Sequence, residues 1–350
     1  MKVIAGITNR KSGKTASASF HFFPLALLLF GLLAGCKQGG PQRQDAAPSV
    51  DVDQVAIPAF SADSALSFVA SQVAFGNRIP GSQPWKECAA WIEGRMRQWC
   101  DTVMVQPFSS PLWDGSVAPG RNIIASLNPQ ATKRVLLAAH WDSRRWADHD
   151  PDEANHKSPV PGANDGASGV GLLMEMARVM CKMRPSVGVD FVFFDVEDQG
   201  QPEWAEKYEE NSWCKGSQYW GHNLHVPYYS AVYGILFDMV GTKNPRFTKE
   251  QVSRTYAPGL TDKLWNMASV LGYGQVFVAQ NTDPILDDHL YVNQLAGIPM
   301  VDIVQNNGTT SFFEHWHTVH DDLDAVDPRT LQLVATVVMK TIYADFPAKQ

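Results

Sequence analysis

The sequence predicts a single α/β domain, with a mostly parallel, twisted central sheet flanked by helices. Continuous apolar runs indicate strands that are buried on both faces, as in parallel sheets. These runs alternate with segments of helical periodicity, which is typical of strand–helix–strand units. The chain has 350 residues, 45% hydrophobic and 19% charged, enough for a full core. No internal repeat or compositional break divides residues 56–350, so we expect one domain there.

The first half of that domain predicts two helices followed by strands. Ser61 precedes a helical pattern that runs to Phe75, and residues 84–99 carry apolar positions on one stripe. Residues 102–108 alternate like a strand, and residues 121–127 predict another. Residues 135–140 form a continuously apolar strand that ends at His140. A polar loop follows over residues 148–156, and its length beside a strand end suggests a function.

The second half repeats the alternation. A Gly-rich turn around Asp165 leads into a helix over residues 170–183, and a strand over residues 189–196 should pair in parallel with the one before it. Further predicted elements are a long loop at 199–224, a strand at 229–240, a helix at 259–271, an acidic loop at 283–289, a strand at 297–304, and a last helix at 328–346. Asp327 and Pro328 supply the cap and first turn of that last helix.

The N-terminal segment predicts export. Residues 1–35 combine four basic residues, no acidic residue and an apolar run, which is the pattern of a secretory signal. The segment Leu33-Ala-Gly-Cys36 resembles a bacterial lipobox, which implies cleavage before Cys36 and lipidation of its thiol. Residues 36–55 are then a lipidated cysteine and a flexible linker. Secretion with an incidental Cys36 is the alternative. Lys37 after the lipidated cysteine favours the outer membrane, in an exported, periplasm-facing or surface lipoprotein.

Charge and cysteine content exclude two classes of site. The net charge of −7 argues against nucleic-acid binding. No CxxC pair is present, so a thiolate zinc site is not expected. Cys88 and Cys100 bracket a helix that would hold them about 18 Å apart, too far for a disulfide. Pairing of Cys181 with Cys214 stays open.

Acidic and histidine side chains follow the predicted strands. Asp195, Glu197 and Asp198 end one apolar run, and the neighbours Glu197 and Asp198 should point to opposite sides. In open α/β sheets, ligands bind beyond the carboxyl ends of the strands. A catalytic zinc site needs about three N or O ligands, and Asp165, Asp198 and His317 would supply them. The alternative is a set of ordinary solvated loop residues.

Four segments resemble the zinc aminopeptidase superfamily with co-catalytic metal sites. They are residues 136–143 (LLAAHWDS), 162–169 (GANDGASG), 193–198 (FFDVED) and 316–322 (WHTVHDD). Within that superfamily the chain is most similar to the glutaminyl-peptide cyclotransferases (glutaminyl cyclases) of animal and bacterial type, over about residues 60–346. The resemblance implies a zinc aminopeptidase-like (phosphorylase/hydrolase-like) fold.

Three features favour the cyclase branch. The segment Asp287-Asp-His289 resembles a cyclase segment whose acid contacts substrate, the segment around Asp238 resembles another, and Trp316 resembles the indole that lines the cyclase pocket. Two departures are notable. Asp198 stands where vertebrate cyclases have Glu, and the vertebrate-type cysteine near the metal-binding Asp165 is absent.

The resemblance implies one zinc ion per chain, bound by Asp165, Asp198 and His317. It implies cyclisation of N-terminal glutamine to pyroglutamate with release of ammonia. The implied roles of the remaining site residues are proton transfer by Glu197, substrate hydrogen bonding by Asp238 and Asp287, and an apolar pocket of Trp204, Phe312 and Trp316. His140 is expected to lie behind the metal ligands.

Two other functions compete. A two-zinc aminopeptidase would bind a second metal with His140 and Asp238, with Asp165 bridging, and the sequence does not exclude it. A non-catalytic lipoprotein could keep the fold to bind peptide or glycan. For the cyclase, the expected partners are peptides and proteins with N-terminal glutamine. We expect a monomer that contacts the membrane only through its lipid and binds no nucleic acid.

Overall fold

The computed structural model describes residues 51–307 and 312–348. The predicted signal segment and Cys36 therefore lie outside the described residues. The described strands are β1 Thr102–Pro111, β2 Val117–Leu127, β3 Arg134–His140, β4 Gly188–Phe194, β5 Tyr233–Asp238, β6 Phe247–Lys249, β7 Phe277–Asn281 and β8 Met300–Val304. The described helices are α1 Ala62–Ala74, α2 Gln83–Met96, α3 Ala167–Met180, α4 Lys215–His222, α5 Gln251–Tyr256, α6 Pro258–Val270, α7 Asp288–Tyr291 and α8 Pro328–Asp345.

The main sheet of the described chain has six strands in the order β1-β2-β4-β3-β5-β8. Strands β4, β3, β5 and β8 are parallel neighbours, whereas β1 and β2 join antiparallel at one edge. The sheet is thus mixed, and its predicted parallel part runs from β4 to the edge strand β8. Strands β6 and β7 form a separate two-stranded sheet, which the sequence did not predict.

The apolar strands are continuous because both faces of the sheet are covered. Along β3, Val135 and Leu137 join the larger core cluster, which α1, α2, α3 and α8 cover. Leu136 and Ala138 point the other way, into a second cluster with Trp220 of α4. Successive strand residues face opposite sides, so a strand between two layers needs apolar residues at every position.

Helix ends agree with the sequence signals. The side chain of Ser61 accepts a hydrogen bond from the Ser64 N–H at the start of α1, and Asp327 accepts one from Arg329 at the start of α8, where Pro328 is the first helical residue. From Val52 onward the described residues form one compact unit. Within the described part of the chain, no helix has both the length and the apolar character needed to cross a bilayer.

Two segments differ from the sequence prediction. The predicted loop 199–224 contains helix α4, whose first turn lies against the end of β4: a side chain at Gly216 would place its Cβ 2.3 Å from the Asp195 carbonyl oxygen. The predicted acidic loop 283–289 ends in α7, with Asp287 as its N-cap, and Asp287 and Asp288 are fully buried. Tertiary contacts bury Asp287, Asp288 and most of residues 212–221, whereas residues 203–211 are largely exposed.

Candidate active site

The predicted site residues meet at the carboxyl ends of the parallel strands. His140 and Asp238 are the last residues of β3 and β5. Glu197 and Asp198 follow β4 closely, and His317 lies in the loop between β8 and α8. The edge of the sheet therefore collects side chains that are far apart in sequence.

Asp165, Asp198 and His317 form a buried cluster with the geometry of a metal site. One ligand atom from each lies within 4.8 Å of the others. His317 Nε2 is 3.1 Å from Asp198 Oδ1 and 3.7 Å from Asp165 Oδ2. Asp198 Oδ2 is buried without a hydrogen-bond partner, a costly state that a bound cation would relieve. An imidazole and two carboxylates suit zinc, so these residues fit the ion.

His140 and Asp238 complete a second cluster on the other side of Asp165. His140 Nε2 lies 3.0 Å from Asp165 Oδ1 and 3.2 Å from Asp238 Oδ1. Asp165 thus presents one carboxylate oxygen to each cluster. His140 contacts Asp165 directly, and its three-residue group also has metal-site dimensions.

A buried carboxylate holds the turn that carries Asp165. Asp321 accepts hydrogen bonds from the backbone N–H groups of Asn164 and Asp165, at 2.8 and 3.0 Å. Burial and the nearby Asp165 raise the pKa of Asp321 to about 8. Gly166 has φ +92°, and a Cβ there would lie 2.8 Å from the Asp142 carbonyl oxygen, so this turn requires glycine.

The side chain of Asp142 binds the backbone of Glu197 and Asp198. The two oxygens of Asp142 accept the N–H groups of Glu197 at 3.0 Å and Asp198 at 3.2 Å. Val196 has φ +57°, an uncommon conformation for a β-branched residue, and such strain is concentrated at functional sites. Asp195 points away and binds the Trp85 indole, so it has a structural contact outside the cluster.

His317 is oriented by a buried ion pair. Arg144 binds Asp148 through two hydrogen bonds of 2.7 and 2.5 Å, and Asp148 Oδ1 lies 3.4 Å from His317 Nδ1. Burial and then Arg144 lower the pKa of His317 to about 4, which keeps the ring neutral. A neutral imidazole is the form that binds metals. The sequence showed Asp148 as a loop acid, but the arginine allows it to be buried.

Further acids surround Glu197. Burial is the main cause that raises the pKa of Glu197, Asp238 and Asp287, and neighbouring carboxylates add to it. Asp302 on β8, which the sequence analysis did not identify, joins them, and its pKa is raised by burial and by Asp238. Close buried carboxylates cannot all be ionised, so this group tends to share protons.

The three predicted pocket aromatics lie in two places. Trp316 stacks on His317 with ring centroids 3.9 Å apart, and Phe312 packs on Trp316 at 4.8 Å. Trp204 is 41% exposed, and its ring neighbours are Trp146 and His156. Trp213, which the sequence analysis did not select, stacks parallel to His317 at 5.9 Å. Its neighbours Ser212 and Cys214, in a segment predicted as a loop, gave no signal for this contact.

Fold and cluster together define an α/β protein with a candidate metal site at the carboxyl edge of its parallel strands. The model of peptidase family M28 matches residues 122–342, and the chain belongs to that family.

Solved structures that resemble this chain include both glutaminyl cyclases and zinc-dependent exopeptidases. A glutaminyl cyclase of Bacteroides thetaiotaomicron is 45% identical, with a TM-score of 0.81 over 82% of this chain and 99% of that one. A Zn-dependent exopeptidase of Parabacteroides distasonis is 44% identical, with a TM-score of 0.80 over 82% of this chain and 99% of that one. Both resemble this chain over almost their whole length.

Curated relatives are more distant. A glutaminyl-peptide cyclotransferase of Gloydius blomhoffii is 23% identical over 62% of this chain and 63% of its own length. The chain thus spans less than two thirds of the length of this relative and of other curated relatives that it matches.

Proposed function

We propose that this chain is a zinc-dependent glutaminyl-peptide cyclotransferase, which converts the N-terminal glutamine of peptides and proteins to pyroglutamate with release of ammonia. The observation that carries the proposal is the buried carboxylate of Glu197, the residue next to Asp198. Asp198 forms the candidate metal cluster with Asp165 and His317. Trp316 stacks on the His317 ring at the same edge of the sheet. The similarity to bacterial glutaminyl cyclases supports the same reaction.

Asp165, Asp198 and His317 would hold one zinc ion per chain. When bound there, zinc supplies Lewis-acid polarisation of the γ-carboxamide oxygen of the substrate. Asp198 is one methylene shorter than a glutamate, and its contacts with His317 and Arg144 hold it close to the cluster. The two stacked indoles of Trp213 and Trp316 fix the plane of the His317 ring.

The substrate carries its own nucleophile. The α-amine nitrogen forms a bond to Cδ, the carbonyl carbon of the γ-carboxamide, and the bond from that carbon to the amide nitrogen breaks, so that ammonia leaves. Because both reacting groups belong to one residue, the protein mainly fixes their conformation. Trp316 and Phe312 would contact the glutamine methylenes, and Trp204 would cover the outer side.

Glu197 would move the proton. It accepts a proton from the attacking amine and delivers it to the departing nitrogen, so the carboxylate is restored at the end. Burial raises the pKa of Glu197 well above its ordinary value, which makes its carboxylate a stronger base. Asp238 and Asp287 would hydrogen-bond to the substrate or to each other, with a shared proton.

The second candidate is a two-zinc aminopeptidase. The contacts of His140 Nε2 with Asp165 Oδ1 and with Asp238 Oδ1, in a cluster of metal-site dimensions, specifically favour it. In that case Asp165 would bridge two metals and water would be the nucleophile.

A paired assay distinguishes the two functions. Purified protein is given a short peptide with N-terminal glutamine and, separately, an aminoacyl-arylamide, and its zinc is counted. Ammonia release with about one zinc and no arylamide cleavage supports the cyclase. Arylamide cleavage with about two zinc ions supports the aminopeptidase.

We also propose that the protein is an exported lipoprotein, anchored through Cys36 to the outer membrane and otherwise without membrane contact. The partners would be peptides and proteins with N-terminal glutamine, and the protein would act as a monomer. Incorporation of labelled fatty acid into the parent chain and not into Cys36→Ser would support the anchor, whereas equal labelling would contradict it.

A further inference from the structure

Cys214 contacts one side-chain oxygen of Glu197, and His140 lies near the other. The Cys214 Sγ lies 3.2 Å from Glu197 Oε1, within hydrogen-bond range for a thiol donor. The other oxygen, Oε2, is 3.9 Å from His140 Nδ1. The two oxygens of Glu197 therefore have different neighbours, and only Oε1 accepts a hydrogen bond from this thiol.

The backbone fixes this contact. The Cys214 N–H donates to the Glu197 carbonyl at 2.9 Å, and the Lys215 N–H donates to the Val196 carbonyl at 3.0 Å. Val196 and Cys214 both have φ +57°. Each of the two paired backbone segments therefore contains a residue in the left-handed conformation. Such conformations persist only where the surroundings determine them, which is common at functional sites.

The thiol is a permanent donor. Cys214 is fully buried, and burial together with the nearby Glu197 raises its pKa well above its ordinary value. The raised pKa favours the protonated thiol, which is the form that donates a hydrogen bond. The four described cysteines, Cys88, Cys100, Cys181 and Cys214, are all free thiols, so no disulfide competes for this sulfur.

We propose that Cys214 is a positioning residue for Glu197: its thiol donates to Oε1, fixes the carboxylate plane and leaves Oε2 to take the proton of the substrate amine. The inference rests on the proposed cyclisation. Because small displacements of a catalytic group are costly, loss of this bond should reduce turnover without weakening zinc or substrate binding.

Two substitutions isolate the donor. Cys214→Ala removes the donor, whereas Cys214→Ser retains one. Both substituted residues must adopt the φ of +57° that Cys214 has, so any backbone strain is matched. We expect kcat to fall about 5- to 10-fold in the Ala variant, with KM and zinc content unchanged, and to recover largely in the Ser variant. Cys181→Ala, a half-buried cysteine on another surface, is the control. Equal kcat values for the Ser and Ala variants would overturn the proposal.

A measurement that is independent of activity uses the native thiol. The S–H stretching band of Cys214 is obtained from the infrared difference between the parent and Cys214→Ser. In Glu197→Leu, which has no acceptor, that band should move to higher wavenumber, and an unmoved band would contradict the contact. If the parent protein shows no cyclisation, the proposed function fails while the infrared result still decides the contact.

Discussion

The carboxylate of Asp142 accepts the backbone N–H of Glu197 at 3.0 Å, and this bond links the end of β3 to the acids that follow β4. The other oxygen of Asp142 accepts the N–H of Asp198 and the side-chain amide of Gln199. A single buried carboxylate therefore sets the position of a proposed metal ligand and of the proposed proton carrier.

The first prediction concerns this carboxylate. Asp142→Asn should lower zinc affinity by about 10- to 100-fold, because the new amide cannot accept both backbone N–H groups. Zinc affinity is measured by competition with a chelator. The control is Asp262→Asn, whose side chain is 66% exposed and which should leave zinc affinity unchanged. Equal zinc affinity in the parent protein and in Asp142→Asn would contradict the role of Asp142 in positioning the zinc ligand Asp198.

The second prediction separates metal binding from chemistry. Glu197→Gln should keep zinc and the melting temperature, because Glu197 lies beside the metal cluster and not in it. Turnover should fall by about 10²- to 10⁴-fold, the usual contribution of a proton carrier. Initial rates of ammonia release at saturating peptide provide the measurement. A variant with normal turnover would exclude Glu197 from the mechanism.

The third prediction concerns the pH dependence of stability at a buried pair, Glu250 and His289. Glu250 is fully buried, and its oxygens accept the Val252 N–H at 2.7 Å and His289 Nε2 at 3.2 Å. Burial alone would raise the pKa of Glu250, but His289 and the hydrogen bonds lower it overall. A lowered folded-state pKa contributes stability above the unfolded-state value, near 4.5. That stability is lost as the pH falls through the lower folded-state pKa.

Glu250→Gln should therefore lower the free energy of unfolding by about 3 kcal/mol at neutral pH, and by less as the pH falls below the ordinary glutamate range. The free energy of unfolding is measured by urea unfolding of the metal-free parent protein and the metal-free Glu250→Gln variant, from neutral pH to below the ordinary glutamate range. Glu93→Gln, in the partly exposed pair with Arg97, should have little effect at any pH. If Glu250→Gln destabilised the protein equally at every pH, the lowered folded-state pKa of Glu250 would be contradicted.

The central strands and the positions of the site residues could be predicted because they depend on local pattern. Continuous apolar runs marked β3, β4 and β5, and the acid or histidine at the end of each run marked the site. Topology then brought Asp165, Asp198 and His317 together.

The supporting residues could not be predicted in the same way. Asp142, Asp321 and Asp148 act by accepting backbone N–H groups or by orienting a ring, and these partners are distant in sequence. Periodicity carries no information on such contacts. The burial of Asp287 also depends on such contacts, because a carboxyl-rich segment normally faces solvent, whereas here Asp287 caps a short buried helix.

Mass spectrometry of one peptide with N-terminal glutamine tests the proposed reaction most directly. After incubation with the zinc-loaded protein, we expect a product that has lost one ammonia and kept every residue, formed faster than with Glu197→Gln as the control for spontaneous cyclisation. A product that has lost the whole N-terminal residue would contradict the cyclase and indicate the two-zinc aminopeptidase.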